Sequence, residues 1–213
     1  LIYKNQILLY LFIFIIGLIS SFSLPPYNLF YLNFFSYPAF LWILLMHTQH
    51  KIKSFNFGWM FGFGYFFSNL YWITNSLTFE DIFKPLIPFA LILIPLFLGL
   101  FYGFSALTFS FLNPKKNILS VLIFATSLSI FEYLRSFIFG GFPWNLISFS
   151  FVNYLEFIQL LSVMGTYAFN SIIILLFLLP TILFFNYKKN FKISIFLLSL
   201  LLFFTNYFIG YLN

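Results

Sequence analysis

Apolar runs of about the length needed to cross a bilayer follow one another along this chain with only short breaks between them. A helix rising 1.5 Å per residue needs about 20 apolar residues to span the hydrocarbon core. On that scale the runs predict helices near 7–23, 29–46, 55–78, 86–112, 118–139, 165–185 and 193–212. Runs this long predict an all-α polytopic transmembrane bundle of about seven spans. Composition leaves little room for another class: 62% of residues are hydrophobic, 7% are charged, and the mean hydropathy is +1.03. No ordinary soluble surface can be built from such a chain.

The charges fix an expected orientation. Lys4, Lys51, Lys53, Lys115, Lys116, Lys188, Lys189 and Lys192 fall on one side of the predicted topology, against Lys84 and the helix-borne Arg135 on the other. The positive-inside rule then makes the N-terminus cytoplasmic and sends the chain out of the membrane on the outer side after Leu212. The net charge of +6 is therefore orienting charge in short breaks, and nucleic-acid binding is not expected. Leu1–Ser23 has the length of a signal peptide but is followed by no small-residue cleavage pattern, so it counts as the first span. The 146–165 connection is apolar enough to be another span. An added span would carry Lys188, Lys189 and Lys192 outside, however, and Asn153, Glu156 and Gln159 recur every third residue. A short interfacial helix is the expectation there.

Chemistry is sparse. Cys is absent, which removes disulfides, thiolate metal sites and Cys nucleophiles. No G-x-S-x-G, H-E-x-x-H or P-loop occurs, and His47 with His50 supplies only half a metal site, so neither metal nor cofactor is called for. The stretch 131–145, FEYLRSFIFGGFPWN, is different. Glu132 and Arg135 lie inside a span, where an isolated charge costs about 2.5 to 3.5 kcal/mol on insertion scales. Their i, i+3 spacing puts them on one helix face, where each neutralises the other. Gly140-Gly141 and then Pro143 must end that helix, and Trp144 follows directly. Two roles fit the pair: a structural intrahelical bridge, or Arg135 facing the outer headgroups as a fork for a phospholipid phosphate. Trp144 is either an interfacial belt residue or one wall of a lipid cleft.

Elsewhere, Ser68, Asn69, Tyr71, Trp72, Asn75 and Ser76 bring polar groups to the outer end of the third span, to line a hydrated pocket or to bond between helices. Glu80 and Asp81 read as a solvated turn. The G-x-x-x-G spacings Gly58/Gly62 and Gly99/Gly103 predict close helix packing within the bundle, with a dimer interface or lipid slot as alternatives. Pro88 and Pro95 are expected to kink the fourth helix and Pro180 the sixth. From these residues alone the chain is a polytopic membrane protein with an outward polar cleft, and a non-enzymatic lipid-binding or transport protein fits them.

Four stretches together resemble the bacterial apolipoprotein N-acyltransferases: SLPPYNLFYL at 23–32, FGWMFGFGYFFSNLYW at 57–72, FEYLRSFIFGGFPWN at 131–145 and LLSVMGTYAFNSIII at 160–174. They occur in the family's order, and Gly-Phe-Pro-Trp is the most specific of them. The resemblance implies a multi-pass enzyme of the bacterial inner membrane that moves an acyl chain from a phospholipid to the N-terminal amine of a diacylglyceryl-modified apolipoprotein. It implies ping-pong chemistry through a Cys thioester, in a periplasmic nitrilase-like domain expected after residue 213 and absent from this chain. A chain without Cys is expected to be inactive alone, and its start at Leu1 without Met reads as part of something longer. Trp72, Glu132, Arg135, Pro143 and Trp144 occupy matching motif positions as candidates for shaping the lipid cleft, and no catalytic residue carries over.

Overall fold

A computed structural model describes residues 2–138 and 143–212. All of its regular structure is helical, as the apolar runs require, and no strand occurs among the described residues. The long helices are α1 (Ile2–Ser21), α2 (Asn33–His47), α3 (Lys51–Asn69), α4 (Ile87–Leu112) and α5 (Ile118–Ile138). After α5 come two single-turn helices, α6 (Leu155–Ile158) and α7 (Leu161–Met164), then α8 (Thr166–Leu178) and α9 (Lys189–Leu212). Five helical stretches among the described residues are long and apolar enough to cross a membrane: Phe30–His47, Asp81–Leu112, Ile118–Ile138, Thr166–Phe184 and Lys189–Phe208. The protein is an all-α membrane bundle.

Although α3 is not among those five, it is packed closely between two neighbours. Its Phe57, Phe61, Tyr65 and Phe66 are buried between α1 and α4, the two helices that contact it most. A helix shielded from lipid by its neighbours need not be apolar all round. Glycines set the spacing on both sides. Side-chain atoms added at Gly17 and Gly64 would strike the backbone of Phe61 and Phe14, and those at Gly62 and Gly99 would strike the facing helix at 2.8 and 2.9 Å. Both G-x-x-x-G pairs thus face the α3–α4 contact, in the bundle-packing role.

Three expectations change. The third helix was predicted to run to residue 78 but stops at Asn69, and Tyr71–Thr78 forms a 3₁₀ helix. There the hydroxyls of Thr74, Ser76 and Thr78 donate to the carbonyls of Tyr71, Ile73 and Asn75, three residues back, at 2.6 to 2.7 Å. Side-chain bonds of this kind compete with the α-helical ladder. Tyr71, Trp72, Asn75 and Ser76 are consequently exposed on that 3₁₀ segment and not on the third helix. Pro88 lies in the first turn of α4, where its missing N–H is no loss; Pro95 is the proline inside that helix. Finally, 146–165 is not one interfacial helix. Ile147–Phe151 is a 3₁₀ turn with Ile147, Ser148, Ser150 and Phe151 buried, and the two single-turn helices follow.

The Lys-bearing breaks gather at one end of the bundle. Lys51 donates to the carbonyls of Thr48 and Ser110, Lys116 lies over the Trp42 ring at 4.8 Å, and the Tyr187 hydroxyl accepts from the Ile118 N–H at 3.0 Å. Tyr65 donates to the Asn145 carbonyl at 2.9 Å, so the Pro-Trp corner lies at the end where α3 finishes.

Candidate functional site: a buried carboxylate that ties the Pro-Trp corner to the bundle

Glu132 and Arg135 lie in the last two turns of α5, each only 1% exposed. Their closest approach, Nη2 to Oε1, is 3.8 Å. That is an ion pair but too long for a hydrogen bond, so each group must be satisfied elsewhere. The Tyr102 hydroxyl of α4 donates to Glu132 Oε1 at 3.1 Å, and the Asn170 side-chain amide of α8 donates to Oε2. Tyr37 of α2 closes the cluster, its hydroxyl 3.3 Å from that of Tyr102. A carboxylate brought into a low-dielectric core is thus held by two donors and a nearby cation, as a buried charge requires.

Arg135 is turned the other way. Its Nη2 donates to the Trp144 carbonyl at 2.5 Å, and its guanidinium carbon sits 4.8 Å from the centre of the Phe66 ring, a cation–π distance. The expectation of an outward fork for a lipid phosphate is corrected here. The spacing that puts Arg135 beside Glu132 also buries it: Nη2 is spent on a main-chain carbonyl and the guanidinium lies against an aromatic face, while Nη1 is buried with no hydrogen-bond partner among the described residues.

The corner is fastened from three helices. Arg135 of α5 holds the Trp144 carbonyl, Tyr65 of α3 holds the Asn145 carbonyl at 2.9 Å, and the Oδ1 of Asn170 of α8 accepts the Ser148 N–H at 2.9 Å. Asn145 itself is in the left-handed region at φ +43°, which Asn tolerates better than most residues. Tyr65→Phe should remove one of these bonds and lower stability by about 0.5 to 1 kcal/mol. A fall in the melting temperature in detergent with unchanged far-UV circular dichroism would show it, and an unchanged melt would mean the bond carries nothing.

Of the five residues singled out in the sequence, Glu132, Arg135 and Trp144 are brought together, Trp144 through its carbonyl. The Trp144 side chain is half-buried against the core, and Pro143, also half-buried, precedes it. Trp72 is 46% exposed on the 3₁₀ segment and takes part in none of these bonds. Gly140, Gly141 and Phe142 of the expected elbow lie outside the described residues. Sequence reasoning missed Tyr37, Tyr65, Tyr102, Ser148 and Asn170. Asn170 carried a signal, as a lone amide ahead of an apolar run; the three tyrosines are hidden among 14 Tyr and 38 Phe. Among the described residues no group of three or more His, Cys, Asp and Glu could hold a metal ion. Through Arg135 and Asn170 the cluster holds the Trp144 carbonyl and the Ser148 N–H of the corner.

Residues 16–179 match the family model described as the apolipoprotein N-acyltransferase N-terminal domain. Curated relatives named apolipoprotein N-acyltransferase include one from Brucella melitensis, 32% identical over 179 residues, which are 80% of this chain and 34% of that protein. One from Sinorhizobium fredii is 30% identical over 179 residues, with the same shares. One from Rhodopseudomonas palustris is 32% identical over 174 residues, 78% of this chain and 32% of the relative. The chain thus spans about a third of the length of the relatives it matches. The matched region runs from within α1 to the end of α8 and takes in the Glu132 cluster and the corner it holds. On that match, this chain belongs to the apolipoprotein N-acyltransferase N-terminal domain family.

Proposed function

We propose that this chain is the bilayer-embedded part of a bacterial apolipoprotein N-acyltransferase, set in the inner membrane with the Pro-Trp corner facing the periplasm. It holds a phospholipid acyl donor and a diacylglyceryl-modified apolipoprotein acceptor in the outer leaflet while the acyl group passes to the acceptor's N-terminal amine. One observation carries this reading: in a chain of this family, a buried carboxylate held by Tyr102 of α4 and Asn170 of α8 sits beside Arg135, and Arg135 and Asn170 in turn hold the corner. Such a brace is expected where a cleft must keep its shape. Trp72, Pro143 and Trp144 are the surfaces that meet lipid, and Glu132 and Arg135 are positioning residues behind them. The thioester step implied by the resemblance needs a Cys, and this chain has none. The purified 213-residue chain should therefore transfer no acyl group; transfer would refute the division of labour.

Orientation is the part of this proposal most directly open to test, because a chain without Cys accepts single-cysteine labelling with no background. Phe79, 87% exposed beyond the corner end of α3, should as Phe79→Cys react with a membrane-impermeant maleimide added to intact spheroplasts. Lys115→Cys, exposed at the basic end, should react only after the membrane is opened. The reverse pattern would place the corner in the cytosol and end the proposal.

A further inference from the structure

On the side of the bundle away from α3, α9 is loosely seated. None of its membrane-spanning stretch Lys189–Phe208 is buried. It is pinned near its ends, by Asn206 donating to the Phe157 carbonyl at 2.8 Å and by Lys192 donating to the Leu183 carbonyl at 2.7 Å. Between the pins lies a cleft of about 430 Å³, closed on the other side by Phe34 of α2 and by Pro180 and Leu183 after α8. The α9 wall runs from Lys192 through Phe196 and Leu200 to Phe203. At 1.5 Å per residue that wall is about 16 Å long, close to half of a hydrocarbon core about 30 Å thick. The cleft therefore reaches from the basic end to about mid-membrane, the depth of one acyl chain in one leaflet.

Charge identifies the headgroup. The chain's acidic residues are Glu80, Asp81, Glu132 and Glu156. Asp81 pairs with Lys84 at 2.5 Å, and Glu132 is taken up in the central cluster. Glu156 packs against Gly210 at the far end of α9, and Glu80 adjoins Asp81. None is left for Lys192 or for the exposed Lys188 and Lys189 beside it. Basic pockets between spans on the cytoplasmic side are where anionic headgroups bind. We infer that this cleft is a site for one anionic phospholipid of the leaflet at the basic end, its phosphate on Lys192 and one tail lying along α9. The site is separate from the corner and does not depend on the acyl-transfer reading.

Native mass spectrometry of the delipidated 213-residue chain, titrated with phosphatidylglycerol or with phosphatidylcholine of the same tails, tests this. One phosphatidylglycerol should be retained in preference to phosphatidylcholine. Lys192→Gln, a substitution at a half-exposed side chain, should weaken it about fivefold, the loss expected for one Lys–headgroup contact. Leu200→Trp, which fills the cleft but leaves Lys192 in place, should weaken both lipids. Equal retention of the two lipids by the unaltered chain, or unchanged retention in Lys192→Gln, would overturn the inference. So would a dimer mass that replaces the lipid adduct, since a second copy would then occupy the cleft.

Discussion

Glu132→Ala should lower the unfolding free energy by about 3 to 5 kcal/mol, the cost of removing one partner from a buried ion pair. The size follows from what is left behind. Arg135, 1% exposed, would keep its charge with no anion beside it, and Tyr102 and Asn170 would lose the acceptor they share. The hydrogen bonds are the lesser part of that loss, because between membrane helices they average only about 0.6 kcal/mol each. The stranded cation decides the magnitude. Two companion substitutions separate the effects: Glu132→Gln keeps the volume and one acceptor oxygen but removes the charge, and should fall between. Adding Arg135→Met to Glu132→Ala should recover part of the loss, because a buried pair replaced as a pair costs less than a broken one. Reversible unfolding in mixed micelles measures all three. A loss below about 1 kcal/mol for Glu132→Ala would show that the carboxylate is not the hub of the cluster.

The parts that depend on local spacing and hydropathy were legible before the fold was known. Apolar runs announce the helices, i, i+3 spacing pairs Glu132 with Arg135, and Pro143 breaks the chain where the corner forms. What needed the structure was direction. Spacing puts two side chains on one face of a helix without saying which neighbour that face meets, so the inward turn of Arg135 onto the Trp144 carbonyl was invisible, as were Tyr102 and Asn170. Hydropathy also failed at Tyr71–Thr78, because an apolar window does not register hydroxyls that bond three residues back and tighten the helix. For α3 the failure was of another kind: its glycines and polar residues suit a helix flanked by protein, and the feature that weakens its membrane signal is the one that lets it pack closely between α1 and α4.

Close packing on both faces of α3 makes the glycines of the α3–α4 contact the second place where a small change should have a large effect. A Cβ at Gly62 would lie 2.8 Å from the Gly99 Cα and 2.9 Å from the Tyr102 Cβ, and one at Gly99 would lie 2.9 Å from the Phe63 nitrogen. These neighbours are backbone or backbone-anchored, so relief requires the helices to part. On its opposite face α3 meets α1 just as closely through Gly17 and Gly64, which leaves it no room to retreat. Gly62→Ala should therefore cost about 1 to 3 kcal/mol or more, as overpacking does, against the gain of about 0.5 to 1 kcal/mol that Ala normally brings to a helix. Gly62→Leu should prevent assembly. The effect should reach the corner too, because Tyr65 and Tyr102 lie one turn beyond Gly62 and Gly99, and separating the helices pulls both hydroxyls from their acceptors. Gly103 supplies the control within the same sequence motif. The atoms nearest a Cβ there belong to the ring of Phe55, at 2.9 to 3.2 Å, and that half-buried side chain can swing aside, so Gly103→Ala should be neutral or slightly stabilising. Melting curves of the two alanine variants in the same detergent decide the matter: equal effects would mean that the spacing of the motif, and not the backbone contact at Gly62 and Gly99, is what holds α3 against α4.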